Sequence, residues 1–485
     1  MSVLALAPAY VVPLLASLGA VYAFTRILTP QEYALYALAM SVMMLFHSVF
    51  FLWLELGAKR FHEQARRDGS LPSLAKSAYL GLLAGAALQA GLACAVLALA
   101  PVRPDLRAVL WVALGAALLR QLSALGKSFA LASMARLRFT AMECGESLLA
   151  LGAGLVACRG AGMGAAGVLA GMGAAALVVA ACDLPVMARR LAHGAGDVAL
   201  QRQLVRFAAP LTLSFLLEAI IASADRFLVA AYLGDWALGV YAVSYGLAER
   251  AVSAVFLATS LASYPLLVRA HERDGRDAAR RQGRANAAVL IGLATPACGG
   301  FIVAAAPLAR VLIGPDYAAA AAEIMPLVGV GIFFHCLRAH SFSHSLHLAE
   351  RTDRCMVASV PAAVINIALN LVLLPRMGLM GAVWATVAAY GAALLISIVQ
   401  AQRTFPLPFP FREAAKAALA TAVMCWTLSA IPFPEGAVGL AELVLAGAAA
   451  YGGLALVLDI GDARTKGLRR LTRPVLPKPS EPGRA

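Results

Sequence analysis

Side chains able to carry charge stand inside long apolar runs of this chain: Arg120, Lys127, Glu218, Asp225, Arg226, Glu249, Arg250, His335 and Arg338. An ionised group in hydrocarbon costs about 2.5–3.5 kcal/mol on insertion scales, so such residues mark substrate or ion paths. Arg120 and Lys127 are seven apart, roughly 20° around a helix, and share one face. A cationic stripe of that kind suits a pyrophosphate, whose oxygens pair with guanidinium forks. Glu218 and Asp225 are also seven apart and share a face, whereas Arg226 turns roughly 100° away. Together with Glu249 they are candidates for binding a coupling proton or cation, beside Arg226 and Arg250 as holders of an anionic group. The structural alternative is an ion pair such as Arg226 with Glu249 that packs helices. Lys127 has its own alternative, snorkelling to the headgroups.

On the tenth apolar run His335 and Arg338 lie nearly opposite His340, His344 and His347 on a helical wheel. His335 and Arg338 are the deeper pair and the better cavity candidates. The other three lack a carboxylate partner and read as interfacial histidines, so no metal site is expected. Arg26, at the mouth of the first run, is either a further anion contact or an interfacial anchor. Glu55, Glu146 and Asp183 fall near run ends, where solvation is cheap, and read as structural.

The elements that must position these groups follow from composition. The 485 residues are 61% hydrophobic and 14% charged, with mean hydropathy +0.79. Soluble domains carry about 25% charged residues, so a water-soluble enzyme is excluded. The net charge of +14 is spread over loops rather than gathered in one patch, which argues against nucleic acid. Eight cysteines form no CxxC pair and read as small packing residues. Residues 1–27 lack a charged leader and read as a first membrane helix.

Fourteen apolar runs reach or approach the ~20 residues needed to span a bilayer: 3–27, 35–56, 75–99, 107–134, 143–158, 165–188, 207–232, 237–266, 285–308, 321–347, 355–374, 379–400, 412–431 and 437–459. With both termini cytoplasmic, the inner loops and tail hold 29 Lys/Arg and the outer loops hold six. The chain also repeats. Leu28 to Ala37 parallels Leu233 to Ala242, Glu63 to Gly69 parallels Arg269 to Gly275, and Gly164 to Ala170 parallels Gly378 to Trp384. The expected fold is an all-α polytopic membrane protein: two parallel-repeat six-helix lobes (1–190 and 207–402) joined by a linker (191–206). Two more helices (403–460) and a basic, Pro-rich disordered tail (461–485) complete it. Parallel repeats of this kind are a transporter plan with the substrate site between the halves.

These residues resemble a family. Thr25-Arg26-Ile-Leu28-Thr-Pro30-Gln-Glu-Tyr33-Ala-Leu-Tyr36 is similar to the opening signature of polysaccharide flippases, with Thr29 and Ala34 in place of the usual glycines. Asp225-Arg226-Phe-Leu-Val, Ile313-Gly314-Pro-Asp316-Tyr317, Asn366-x-x-x-Asn370 and Gly378-x-x-Gly381-Ala follow in order. The resemblance, over residues 1 to about 400, is to the O-antigen or exopolysaccharide flippases of the multidrug/oligosaccharidyl-lipid/polysaccharide exporter superfamily. It implies a multidrug-exporter-like fold in a bacterial inner membrane. It also implies a polyprenyl-pyrophosphate-linked oligosaccharide as cargo, contact with membrane lipids, and polysaccharide polymerase or ligase partners. A cation-coupled drug or metabolite exporter and a lipid II flippase are the alternatives within the superfamily. No cofactor is expected: no Walker motif or nucleophile elbow appears, and the longest outer connections, of roughly ten residues, leave no room for an extramembrane catalytic domain.

Overall fold

The computed structural model describes residues 7–349, 351 and 355–462; the predicted tail beyond Arg464 lies outside them. Among the described residues the chain is helical with no strand. The first helices are α1 (Pro8–Ile27), α2 (Pro30–Phe50), α3 (Leu52–Arg67), α4 (Leu71–Leu99), α5 (Pro104–Ala132), α6 (Arg136–Gly160) and α7 (Gly164–Leu191). A helical stretch from Val198 to Leu312 follows, then α11 (Pro315–Leu337), α12 (Cys355–Met377), α13 (Leu379–Thr404), α14 (Phe411–Ala430) and α15 (Ala437–Val457). Helix α11 runs through a π-helical turn, Arg338–Phe342, into Ser343–Leu348.

The stretch Val198–Leu312 is three helices rather than one. Gly234 (φ +82°) and Gly275 (φ +77°) adopt the left-handed conformation that ends a helix cheaply only in glycine. The chain folds back at both: Tyr241 donates to Asp225 sixteen residues earlier, and Asn286 donates to the Ser263 carbonyl twenty-three residues earlier. The pieces are α8 (198–233), α9 (235–274) and α10 (276–312). Among the described residues eleven helical stretches are long and apolar enough to cross a membrane, the one ending at Leu312 counted as a single stretch. With that stretch divided at its two glycines and α2 and α3 taken as one helix broken at Phe51, the helices number fourteen, as the apolar runs do. Helices extend past those runs, as α6 does on both sides of 143–158, because polar residues continue a helix into the headgroup layer.

The repeat is visible in the turns. Gly69 and Gly275, at matched positions of the Arg-Asp-Gly motif, both have positive φ, as do Gly164 and Gly378. The first corner is built differently from its partner. Where the second half has Gly234, the first has Thr29, which caps α2 in a reciprocal capping box with Glu32, followed by Pro30 at the first turn. Such a box stabilises a helix start by about 1 kcal/mol and replaces the missing glycine.

The chain forms two compact units: residues 1–254 with 305–406, and residues 255–304 with 407–485. In the first, α2, α4, α5 and α7 enclose a core of Leu35, Met43, Leu97, Leu110, Leu114 and Leu169. Helices α6 and α7 approach so closely at Gly154 and Gly171 that a Cβ on Gly171 would strike the Gly154 backbone, the small-residue packing expected between membrane helices. In the second unit, Tyr451 on α15 donates to the Gly292 carbonyl on α10 at 2.6 Å.

Within the first unit the ends of helices at the short turns (28–29, 100–103, 234 and 313–314) are tied together. Arg103 donates to both carboxylate oxygens of Asp235, at 3.1 and 3.4 Å. Arg26 caps the α10 carbonyls of Val311 and Leu312 at 3.1 and 3.3 Å, and the Gly314 N–H donates to the Thr25 hydroxyl at 2.9 Å. Gly314 has no room for a Cβ against the Thr25 carbonyl. The Tyr33 and Tyr317 rings meet at a tilt of 52° with their centroids 5.8 Å apart. Reversing one charge, Asp235→Arg, sets two guanidiniums against each other. The expected result is faster labelling, by severalfold, of cysteines introduced at the cavity wall, read with a membrane-impermeant thiol reagent on a background without its own reactive cysteines. The swap Arg103→Asp with Asp235→Arg should restore protection; unchanged labelling in both would show that this pair does not hold the end shut.

Candidate functional site

A cavity of about 400 Å³ opens in the first unit among α1, α2, α5, α6, α8 and α9. Its charged lining is Arg120 and Lys127 from α5, Glu146 from α6, Arg226 from α8, and Glu249 and Arg250 from α9. Tyr33, Tyr36, Met40, Met43, Met44 and His47 of α2 form the apolar and aromatic wall.

The two sides of the cavity differ in how their cations are met. On the α5 side Lys127 lies 3.2 Å from both Glu143 and Glu146, and Arg120 lies 3.8 Å from Glu146. Glu146 also accepts a short hydrogen bond from Ser123. On the α8–α9 side Arg226 donates to Ser41 of α2 at 3.1 Å and lies 5.8 Å from the Tyr245 ring centroid, with its Nε unpartnered. Arg250 donates to the Gly246 carbonyl of its own helix at 2.6 Å. Among the described residues neither has a carboxylate within ion-pair distance. The anticipated Arg226–Glu249 pair does not form; Glu249 is exposed into the cavity. A pocket with two guanidiniums that form no ion pair attracts an anion, and the planar forks favour phosphate oxygens.

Asp225, next to Arg226, points the other way. It is 1% exposed and accepts hydrogen bonds from Tyr241 of α9 (2.7 Å), Thr386 of α13 (2.5 Å) and Asn370 of α12 (2.7 Å). The carboxamide oxygens of Asn366 and Asn370 are buried and have no donor among the described residues. Glu218 shares this face of α8, as its seven-residue spacing requires, and pairs with Arg338 at 2.6 Å. The π turn that begins at Arg338 follows directly on His335, whose ring sits 4.9 Å from Tyr390, and the Tyr390 hydroxyl meets that of Tyr245 at 2.6 Å.

The sequence candidates therefore separate into groups. Arg120, Lys127, Glu249 and Arg250 come together at the cavity, and Arg226 with them. Asp225, Glu218, His335 and Arg338 face one another across α8, α11, α12 and α13 and do not line it. Arg26 stands at the short-turn end on helix carbonyls, with its guanidinium 3.9 Å from the Tyr22 ring centroid. Sequence reasoning passed over Glu146, set aside as a helix-end residue, although Glu143 and Glu146 share a face opposite the Arg120–Lys127 stripe. It also missed Tyr241 and Thr386 as partners of Asp225. Two asparagines four apart in an apolar helix, Asn366 and Asn370, were the available signal for a polar acceptor nearby.

No curated protein sequence matches the chain. Among solved structures, the lipid II flippase MurJ in an inward closed conformation is similar at TM-score 0.75 and 13% identity, over 97% of this chain and 100% of that one. An inward-facing multidrug resistance transporter of the MATE family, in the MOP superfamily, is similar at TM-score 0.68 and 12% identity, over 81% and 93% of the two chains. A MOP superfamily transporter from Pyrococcus furiosus, described as having reversed pocket polarity, is similar at TM-score 0.54 and 14% identity, over 82% and 95%. At these identities the likeness shows the fold alone. The sequence profile of a family described as polysaccharide biosynthesis protein matches residues 23–322, more than half of the chain, and the chain belongs to that family.

Proposed function

We propose that this protein is a flippase that carries a polyprenyl-diphosphate-linked oligosaccharide across the bacterial inner membrane for surface polysaccharide synthesis. The observation that carries the reading is the pair Arg226 and Arg250, which line the cavity with no carboxylate within ion-pair distance among the described residues. A diphosphate between them and Arg120 would be held by charge-assisted hydrogen bonds, with the sugars in the wet cavity and the lipid tail in the bilayer. Residues 1–190 and 207–402 act as two lobes, the cavity lying between helices of both, and rocking of one against the other provides alternating access. Both termini face the cytoplasm, so the short-turn contacts of Arg26, Thr25 and Arg103 close the outer side. Asp225 is the coupling carboxylate: a proton or cation there changes the charge beside Arg226 on the same helix turn. Glu218, held by Arg338, supports α8 from the same side.

The lining favours this reading over a cation-coupled drug exporter, which needs a carboxylate-dominated site; here four cations face two carboxylates. A lipid II flippase handles the same diphosphate chemistry, and the family to which the chain belongs favours the surface polysaccharide. Depletion of the protein in cells should cause lipid-linked oligosaccharide to accumulate on the cytoplasmic leaflet, with re-expression reversing it. The sugar composition of the accumulated lipid separates the two cargoes, and no accumulation of either would turn the reading towards drug or metabolite export.

A further inference from the structure

The cavity holds an anion of its own. Glu146 on α6 is only 8% exposed, yet it lines the cavity and stands opposite the stripe Arg120, Ser123 and Lys127 on α5. One carboxylate oxygen takes the Ser123 hydroxyl and lies 3.2 Å from Lys127, while the other is 3.8 Å from the Arg120 Nε, longer than a hydrogen bond. Lys127 is thus fully engaged, between Glu143 and Glu146, and Arg120 is met only loosely. Among the described residues no carboxylate lies within ion-pair distance of Arg226 or Arg250.

We infer that Glu146 is a resident counter-anion that competes with the substrate's diphosphate for Arg120, and so sets how readily the diphosphate leaves. The inference rests on the diphosphate reading above. A cavity with four uncompensated cations would bind a diphosphate strongly and release it slowly, since binding that stabilises only the loaded state slows turnover. A fixed carboxylate between two of the cations, Lys127 and Arg120, weakens that grip without removing the donors. The diphosphate enters against Arg226 and Arg250, shares Arg120 with Glu146, and departs when Glu146 reclaims it.

The test uses the full-length protein in nanodiscs, farnesyl diphosphate as the binding probe, and proteoliposomes loaded with a polyprenyl-diphosphate oligosaccharide for translocation. Glu146→Gln keeps the shape and the Ser123 contact but removes the charge. It is expected to bind farnesyl diphosphate about tenfold more tightly and to translocate severalfold more slowly, because release becomes limiting. Adding Arg120→Ala should abolish the gain in affinity. Should Glu146→Gln fail to fold, Glu146→Asp, which draws the carboxylate back by one methylene, carries the same expectations at smaller size. If the wild type binds the probe and the Glu146 variant, with an unchanged melting temperature, binds it equally or more weakly, Glu146 is structural and the inference is wrong. If the wild type binds no prenyl diphosphate, the diphosphate reading itself falls.

Discussion

Replacing Arg226 and Arg250 together with alanine is expected to abolish binding and translocation of a lipid-linked diphosphate while leaving the fold intact. Neither guanidinium has a carboxylate within ion-pair distance among the described residues, although Glu146 and Glu249 line the same cavity, so neither replacement breaks an ion pair. Arg226 loses one hydrogen bond to Ser41 and a distant ring contact, and Arg250 loses one to its own helix. These are small losses, and the melting temperature should shift by only a few degrees. Loss of one partner of a desolvated, hydrogen-bonded charge pair costs about 2–5 kcal/mol, so each single variant should weaken binding roughly 30-fold or more. Lysine at either position should recover only part of this, because an ammonium cannot present the two-pronged fork. Prenyl diphosphate binding by the purified variants, beside their melting temperatures, is the check. Full binding by the double alanine variant would locate the anion elsewhere.

Asp225→Asn is expected to separate transport from its driving force. The carboxylate sits among Tyr241, Thr386 and Asn370, three donors from three helices, at 1% exposure. The asparagine keeps the size and one acceptor, but turns an amide N–H₂ towards groups that themselves donate. Stability should fall by about 1–3 kcal/mol, the usual cost of a buried polar group left without its partner. More telling is the response to gradients. Wild-type translocation should accelerate when a proton or sodium gradient is imposed across proteoliposomes, and Asp225→Asn should run at one slow rate whatever the gradient. A variant that still accelerates would remove Asp225 from coupling and leave it as the polar anchor of α8 to α9, α12 and α13. Glu218→Gln, whose ion pair with Arg338 lies on the same face, serves as the comparison for a purely structural loss.

Most of the architecture was legible from the sequence because a bilayer imposes a length and a charge rule on every crossing. The turns at Gly234 and Gly275 were foreseen as breaks between apolar runs and are marked by the same residues in the backbone. The short fifth run was underestimated because hydropathy stops where a helix enters the headgroup layer, whereas hydrogen bonding continues through Arg136–Gly160. The site was only partly legible. Spacing by sevens put Arg120 and Lys127 on one face, and both line the cavity beside Glu146, but a wheel gives a direction relative to its own helix and not to the neighbours. It could not say that the Asp225 face turns towards α12 and α13 while Arg226, one residue on, faces the cavity. The π turn at Arg338–Phe342 adds a residue to its turn and shifts the register of His340, His344 and His347 relative to an ideal wheel. Glu146, read as a helix-end residue, proves to lie against Ser123 and Lys127 of α5. Distance from a helix end measures depth and does not reveal which side chains a neighbouring helix places opposite.

The central claim is that a diphosphate-linked sugar crosses the bilayer through this cavity. The most direct measurement is transbilayer movement of a fluorescent polyprenyl-diphosphate oligosaccharide in proteoliposomes, read by its accessibility to a membrane-impermeant quencher. Wild-type protein should render the lipid in both leaflets accessible, and the Arg226→Ala, Arg250→Ala protein, present at equal amount, should leave the inner leaflet protected. Equal exposure with both proteins, or with empty liposomes, would contradict the account.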